Sequence, residues 1–202
     1  MRIIRTFAVL PLVAVLAACA GQDPVTRGVP LDAAASEQAT QRNYNVVAVS
    51  VDVPTTLTVS EAHSYYPNAD IVWRGDAPGD RHDQVRAMVE SSAAMASDGL
   101  HGTRDVQVAI KVSRFHALTE KARYSVGGVH AVKLVMGVYD AQTGEAIEEP
   151  RVIDASLKGY GGLRAIEAER EGQTQKVRLT NHMAGVIQRE LRPPSDAAPS
   201  QS

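Results

Sequence analysis

VQVAIKVS, residues 106–113, decides the fold: Val106, Val108, Ile110 and Val112 alternate with Gln107, Ala109, Lys111 and Ser113. A period of two sends successive side chains to opposite faces of a pleated chain, so the segment reads as a strand with one apolar and one wet face. Phe115 extends it. A sheet made of such strands needs cover on its apolar side only, and the flanking sequence supplies both more strands and the cover.

Upstream, residues 45–53 alternate in the same way, with Val47, Val49, Val51 and Val53 on one side and Val46, Ala48, Ser50 and Asp52 on the other. Pro54 ends that strand. Downstream, residues 129–139 form a third strand whose more apolar side carries His130, Val132, Leu134, Met136 and Val138. Asp140 to Gly144 reads as a tight connection to a fourth strand near Arg151 to Lys158, with Ile153, Ala155 and Leu157 facing inward. Helical spacing appears in two places. Behind Asp80, an N-cap residue type, Val85, Met88, Val89, Ser92 and Ala96 recur until Gly99 offers a stop. Val177, Thr180, Ala184, Ile187 and Leu191 make the seam of a final helix. The order β-α-β-β-β-α predicts an α+β fold, a four-stranded, mainly antiparallel sheet with both helices on one face.

The ends of the chain are of another character. Arg2 and Arg5 precede an apolar run from Phe7 to Ala18, which is shorter than the ~20 residues of a membrane-spanning helix. Leu16, Ala17, Ala18 and Cys19 close that run with the only cysteine, and they fit a bacterial lipobox. Residues 1–18 therefore read as a lipoprotein signal peptide, and Cys19 as the lipidation site and new N-terminus. Several acyl chains at ~0.8 kcal/mol per buried methylene make a stable anchor where one would be marginal. The alternative is an ordinary signal peptide cut near Ala18 to Ala20 that leaves the thiol free. Ala20, rather than an aspartate, follows the cysteine. By its resemblance to lipoprotein sorting in enteric bacteria, this implies the outer membrane, facing the periplasm. Residues 19–43 lack apolar periodicity and read as a lipidated tether, residues 44–192 as the α+β domain, and residues 193–202, rich in Pro, Ser and Ala, as a disordered tail. Without residues 1–18 the net charge moves from -2 to -4, because Arg2 and Arg5 leave. An acidic chain without a basic run is a poor nucleic-acid binder. A single cysteine allows no internal disulfide, so the core must hold the fold unaided.

Four stretches carry a resemblance: YYPNADIVWRGD (65–76), HGTRDVQVAI (101–110), RFHALTEKARYSVGGVHAV (114–132) and GYGGLRAIEAEREGQTQKVR (159–178). On these the chain resembles an uncharacterised family of alphaproteobacterial lipoproteins, a domain of unknown function, which implies an envelope location and no particular activity. The architecture is similar to small envelope lipoproteins such as the lipopolysaccharide-assembly lipoprotein, the outer-membrane activators of peptidoglycan synthases and the auxiliary lipoproteins of lipid transporters. Fold analogy of that kind implies little about function.

Candidate site residues follow from chain direction. If the first helix returns so that the second strand runs parallel to the first, the connections 54–79, 116–128 and 159–172 emerge at one end of the sheet, opposite the tether. These connections hold Tyr65, Tyr66, Trp73, Tyr124 and Tyr160, with Arg74, Arg123 and Arg164 beside them. Aromatic and arginine side chains dominate interface hot spots, so Tyr65, Tyr66, Trp73, Arg74, Tyr124, Tyr160 and Arg164 are the expected partner-binding set. The competing reading is that Trp73 and one or two tyrosines fill a satellite core under the long loop. A short strand over Asp70 to Trp73 would threaten the common-end arrangement by reversing the first helix.

Catalytic motifs are not found: there is no G-x-S-x-G, no H-E-x-x-H and no Walker loop. In Gly159-Tyr160-Gly161-Gly162, Arg164 stands where a dinucleotide fingerprint needs its third glycine, so a turn with positive φ is the better reading. His116 and His130 could approach across a hairpin, with His63 or Glu120 as a third ligand, but the spacing is not compact. We therefore expect no metal, no cofactor and no catalytic residue. Arg74-Gly75-Asp76 spells an adhesion tripeptide that three common loop residues form readily by chance, and Glu167, Glu169, Arg170 and Glu171 read as a solvated face. The expected function is a non-enzymatic binding or accessory module for an envelope protein, glycan or lipid. The alternative is a small periplasmic hydrolase or transferase acting on cell-wall or lipid material.

Overall fold

The computed structural model describes residues 42–194. Cys19, the signal segment, nearly all of the tether and the tail from residue 195 lie outside the described residues. Strands β1 (Tyr44–Asp52), β2 (Ile71–Val72), β3 (Arg104–His116), β4 (Gly128–Asp140), β5 (Ala146–Asp154) and β6 (Leu157–Gly159) alternate with helices α1 (Arg81–Ser97), α2 (Glu120–Arg123), α3 (Leu163–Arg170) and α4 (Gln175–Leu191). The spatial order is β1-β3-β4-β5; β1 and β3 are parallel, and the other two pairs are antiparallel. Helices α1 and α4 pack against this mixed sheet, giving the predicted α+β fold.

Sequence periodicity placed most of the core. Val106, Val108, Ile110, Val112, Val132, Leu134, Met136, Val138 and Ile153 are buried beneath Val85, Met88, Val89 and Ala96 of α1. Asp80 caps α1 by accepting the amides of His82 and Asp83, and Gly99, at φ 82°, turns the chain away from the helix end. In α4 the buried seam is Leu179, Met183, Ile187 and Leu191, while Val177 is exposed and Thr180 only half-buried. The expected seam therefore began on the wrong residues of the first turns.

Bulges explain where the alternation slips. β1 shifts register between Val46 and Ala48, so Val47 faces solvent while Val46, Val49 and Val51 pack on the core. In β3 the shift falls between Val112 and Arg114, which returns Phe115 to the buried side. The fourth strand begins at Ala146 instead of Arg151 and breaks after Asp154, whose carboxylate accepts the Ser156 amide at 2.9 Å. The chain then resumes as β6, antiparallel to the first residues of β4.

At the end where the chain comes in from the tether, charges close the sheet. Glu148 is buried and accepts from Arg42 Nε at 2.8 Å, from Arg42 Nη2 at 2.9 Å and from the Tyr44 hydroxyl at 2.8 Å. Arg151 bridges Glu148 at 3.2 Å and Glu190 of α4 at 3.0 Å. Burial pushes the Glu148 carboxyl up, but these hydrogen bonds and the two guanidinium charges outweigh it and leave the group below its ordinary value.

Candidate functional site

The connections 53–80, 117–127 and 160–174 gather at the end of the sheet away from Arg42. A short strand does form at Ile71–Val72, but it runs parallel to β3 beside Phe115 and His116, and α1 still returns to place β3 parallel to β1. The common end therefore stands. β2 and β6 lengthen the outer rows of the sheet there, giving the loops a rigid floor.

The first connection is folded against that floor. Asp70 accepts from the Thr58 amide at 2.9 Å and the Thr58 hydroxyl at 2.7 Å, closing the segment on itself. Arg81, buried at the start of α1, reaches Glu61 at 2.8 Å and the Ala77 carbonyl at 3.2 Å, and Arg74 reaches Glu61 at 2.5 Å. Trp73 is fully buried: its ring meets Phe115 edge-on at 5.8 Å, and its Nε1 donates to Asp76 at 2.8 Å. A Cβ at Gly75 would lie 2.2 Å from that ring, so glycine is required by the approach. The Arg74-Gly75-Asp76 tripeptide is thus a surface turn folded back on the indole, with Asp76 also bonded to Lys176 at 2.7 Å. Trp73 belongs to the core and is no part of an exposed binding rim, which corrects the expectation placed on it.

Tyr65 and Tyr66, by contrast, are exposed. The Tyr66 ring stacks on His116 at 4.2 Å, and its hydroxyl accepts from Arg114 at 2.9 Å. His116 in turn donates to the Pro67 carbonyl at 2.9 Å, and Thr119 donates to Ser64 at 2.8 Å. The Lys121 ammonium lies 4.7 Å from the Tyr65 ring centre. The segment is therefore held by its main chain while two rings face solvent.

The other two connections touch each other. A Cβ at Gly161 would come within 2.3 Å of the Gly127 amide, so the two loops meet backbone to backbone. Gly162, at φ 58°, donates its amide to Arg123 at 3.0 Å and opens α3, as the turn reading of the glycine run expects. Tyr160 lies between two guanidinium groups, Arg178 at 3.5 Å and Arg164 at 4.1 Å from the ring centre. Tyr124 donates to Glu169 at 3.1 Å and accepts from Arg123 at 3.0 Å. Glu169 is consequently not a solvated face residue, although Glu167, Arg170 and Glu171 are exposed. Val126 and Leu163, each 77% exposed, stand on these touching loops. Sequence reading passed over them because single apolar residues beside glycines carry no periodic signal.

The two histidines do not converge. His116 pairs opposite Ala131 across the hairpin, so His130, one residue on, takes the other face of the sheet. His130 Nδ1 accepts the Leu118 amide at 3.2 Å, and burial, with Arg178 and Arg123 nearby, holds its pKa down to about 4. Among the described residues no three metal-ligating side chains come together.

The chain belongs to the family of unknown function DUF6778, whose profile matches residues 44–202. No curated protein matches it. Among solved structures, a candidate lipoprotein from Caulobacter crescentus is similar with a TM-score of 0.34 and 13% identity, over 78% of this chain and 93% of that one.

Proposed function

We propose that this member of the DUF6778 family is a lipid-anchored envelope protein that works by binding, presenting its loop end to an envelope protein, glycan or lipid. The observation that carries the reading is the concentration of exposed apolar and aromatic groups at that end. Tyr65, Tyr66, Tyr124, Val126, Val129 and Leu163 are all exposed there. Guanidinium groups of Arg114, Arg123, Arg164 and Arg178 stand against the rings or hydroxyls of Tyr66, Tyr124 and Tyr160. Rings held by hydrogen bonds and cation contacts lose little further entropy on binding, which is what an interface anchor needs. Location rests on Leu16 to Cys19, and the outer leaf of the assignment, the outer membrane, on Ala20.

Two measurements test this. Cys19→Ala should abolish metabolic palmitate labelling and release the protein from the membrane fraction; continued labelling would contradict the anchor. Single alanine substitutions at Tyr65, Tyr66, Tyr124 and Tyr160 should weaken capture of a stoichiometric partner by about thirtyfold at the strongest position, without lowering the melting temperature to match. Unchanged capture by all four folded variants would move the interface to the sheet face carrying Lys111, Lys133 and Lys158.

A further inference from the structure

Beneath the exposed rim lies a polar cleft lined by Arg74, Arg123, Glu169, Thr174, Gln175 and Lys176. It contains an anomaly of hydrogen bonding. Among the described residues, three buried side-chain polar atoms are left without a partner, Arg74 Nε, Arg123 Nε and Gln175 Oε1; a fourth, Glu169 Oε1, accepts no hydrogen bond but faces the Arg123 guanidinium at 3.1 Å. All four belong to residues lining this one cleft. Buried polar groups are almost always satisfied, so a cluster of orphans in one place calls for a ligand or ordered water to complete it.

The orphans define what fits. Gln175 is only 4% exposed, and its orientation is fixed because Nε2 donates to the Leu118 carbonyl at 3.3 Å. Its Oε1 is therefore an acceptor that needs an O–H or N–H donor. The two Nε–H groups need acceptors. Their guanidinium heads are already tied, Arg74 to Glu61 at 2.5 Å and Arg123 to Glu169 at 3.1 Å. Lys176, 48% exposed in its side chain, is paired with Asp76 at 2.7 Å. Gln175 and Lys176 also open α4, whose first-turn amides have no partner within the helix and whose dipole favours negative charge; Thr174 Oγ1 takes the Val177 amide.

We propose that this cleft binds a hydroxylated anion of the sugar-phosphate class, its phosphate accepting from the arginine Nε–H groups and the α4 terminus, and a neighbouring hydroxyl donating to Gln175. A neutral hydroxyl suits that carbonyl better than an ammonium, because Arg74, Arg123 and Lys176 are each matched by a carboxylate and the cleft holds no surplus negative charge to select a cation. The proposal does not depend on the rim binding a partner.

Thermal unfolding of the full chain in detergent, with glucose 1-phosphate, inorganic phosphate and glucose as separate probes, tests it. Glucose 1-phosphate should raise the melting temperature in proportion to occupancy, and more than either simpler probe at equal concentration. Lys176→Glu, its own melting temperature without ligand serving as the reference, should weaken that binding by about tenfold, and Gln175→Leu should remove the advantage over inorganic phosphate. Equal shifts by glucose 1-phosphate and inorganic phosphate would overturn the proposal, as would no shift with any probe, in which case water satisfies the orphan atoms. A shift that survives Lys176→Glu would place the binding elsewhere and overturn it too.

Discussion

Trp73 and Tyr66 sit in the same connection and have opposite energetics. Removing the Trp73 indole leaves a cavity against Phe115 and strips a hydrogen bond from Asp76, so Trp73→Ala should cost about 3–5 kcal/mol. Tyr66→Ala removes an exposed ring stacked on His116 and should cost under about 1 kcal/mol. Urea midpoints for the two variants check this, and similar losses would contradict the placement of Trp73. The sequence shows that both are aromatic and lie in a long loop; what separates them is the burial of the indole against Phe115 of β3, and that is a tertiary fact. His130 gives a pH dependence. The folded state keeps its ring neutral down to about 4, whereas the unfolded chain takes up a proton near 6.5, so between those values the unfolded state binds more protons. Stability is whole above the upper value, falls as pH drops through the window by roughly 3 kcal/mol, and loses nothing more from this group below it. Burial lowers His182 as well, adding in the same direction. Denaturant midpoints from about pH 7 to pH 5 should fall more steeply for the natural chain than for His130→Gln; parallel curves would contradict the assignment.

Ile110 and Lys111, adjacent in β3, carry the test at the level of elements. Ile110 faces the helices and is 2% exposed, while Lys111 faces solvent. Ile110→Asp buries an unpaired charge and should unfold the domain, whereas Lys111→Asp should shift stability by no more than about 0.5 kcal/mol. Equal melting temperatures would mean that the sheet is covered on both faces or on the wrong one. The alternation that yields this contrast was legible because each pair of adjacent residues in 106–112 sees a dry and a wet side. It became illegible where the phase breaks. Val47 continues the apolar pattern in sequence but bulges out, and Gln175 and Leu179 replace Val177 and Thr180 on the buried side of α4, where Gln175 reaches the Leu118 carbonyl. Helices α2 and α3 are too short for a periodic signal, and they are what fold the connections over the cleft.

The whole molecule is polar along the axis of its strands. One end is closed by Arg42, Tyr44, Glu148, Arg151 and Glu190, which fasten the incoming chain to β5 and the end of α4. The other end carries the aromatic rim and the cleft, set on β2 and β6 and held by buried Arg81 and Thr119. The convergence of three connections was legible in the sequence only on the condition that the first pair is parallel, which the structure meets; a parallel first pair and two antiparallel steps then leave no other arrangement. Which side chains face outward there was not, because it depends on contacts between loops distant in sequence, such as Gly161 against Gly127. A photo-crosslinking amino acid placed in turn at Tyr66, Tyr160, Lys111 and Met95 of the full-length protein in cells tests the central claim, that the loop end is the binding surface. Discrete adducts at Tyr66 and Tyr160, with none at Lys111 on the open sheet face or Met95 on α1, are the predicted result; adducts at Lys111 or Met95 with none at the two tyrosines would contradict it.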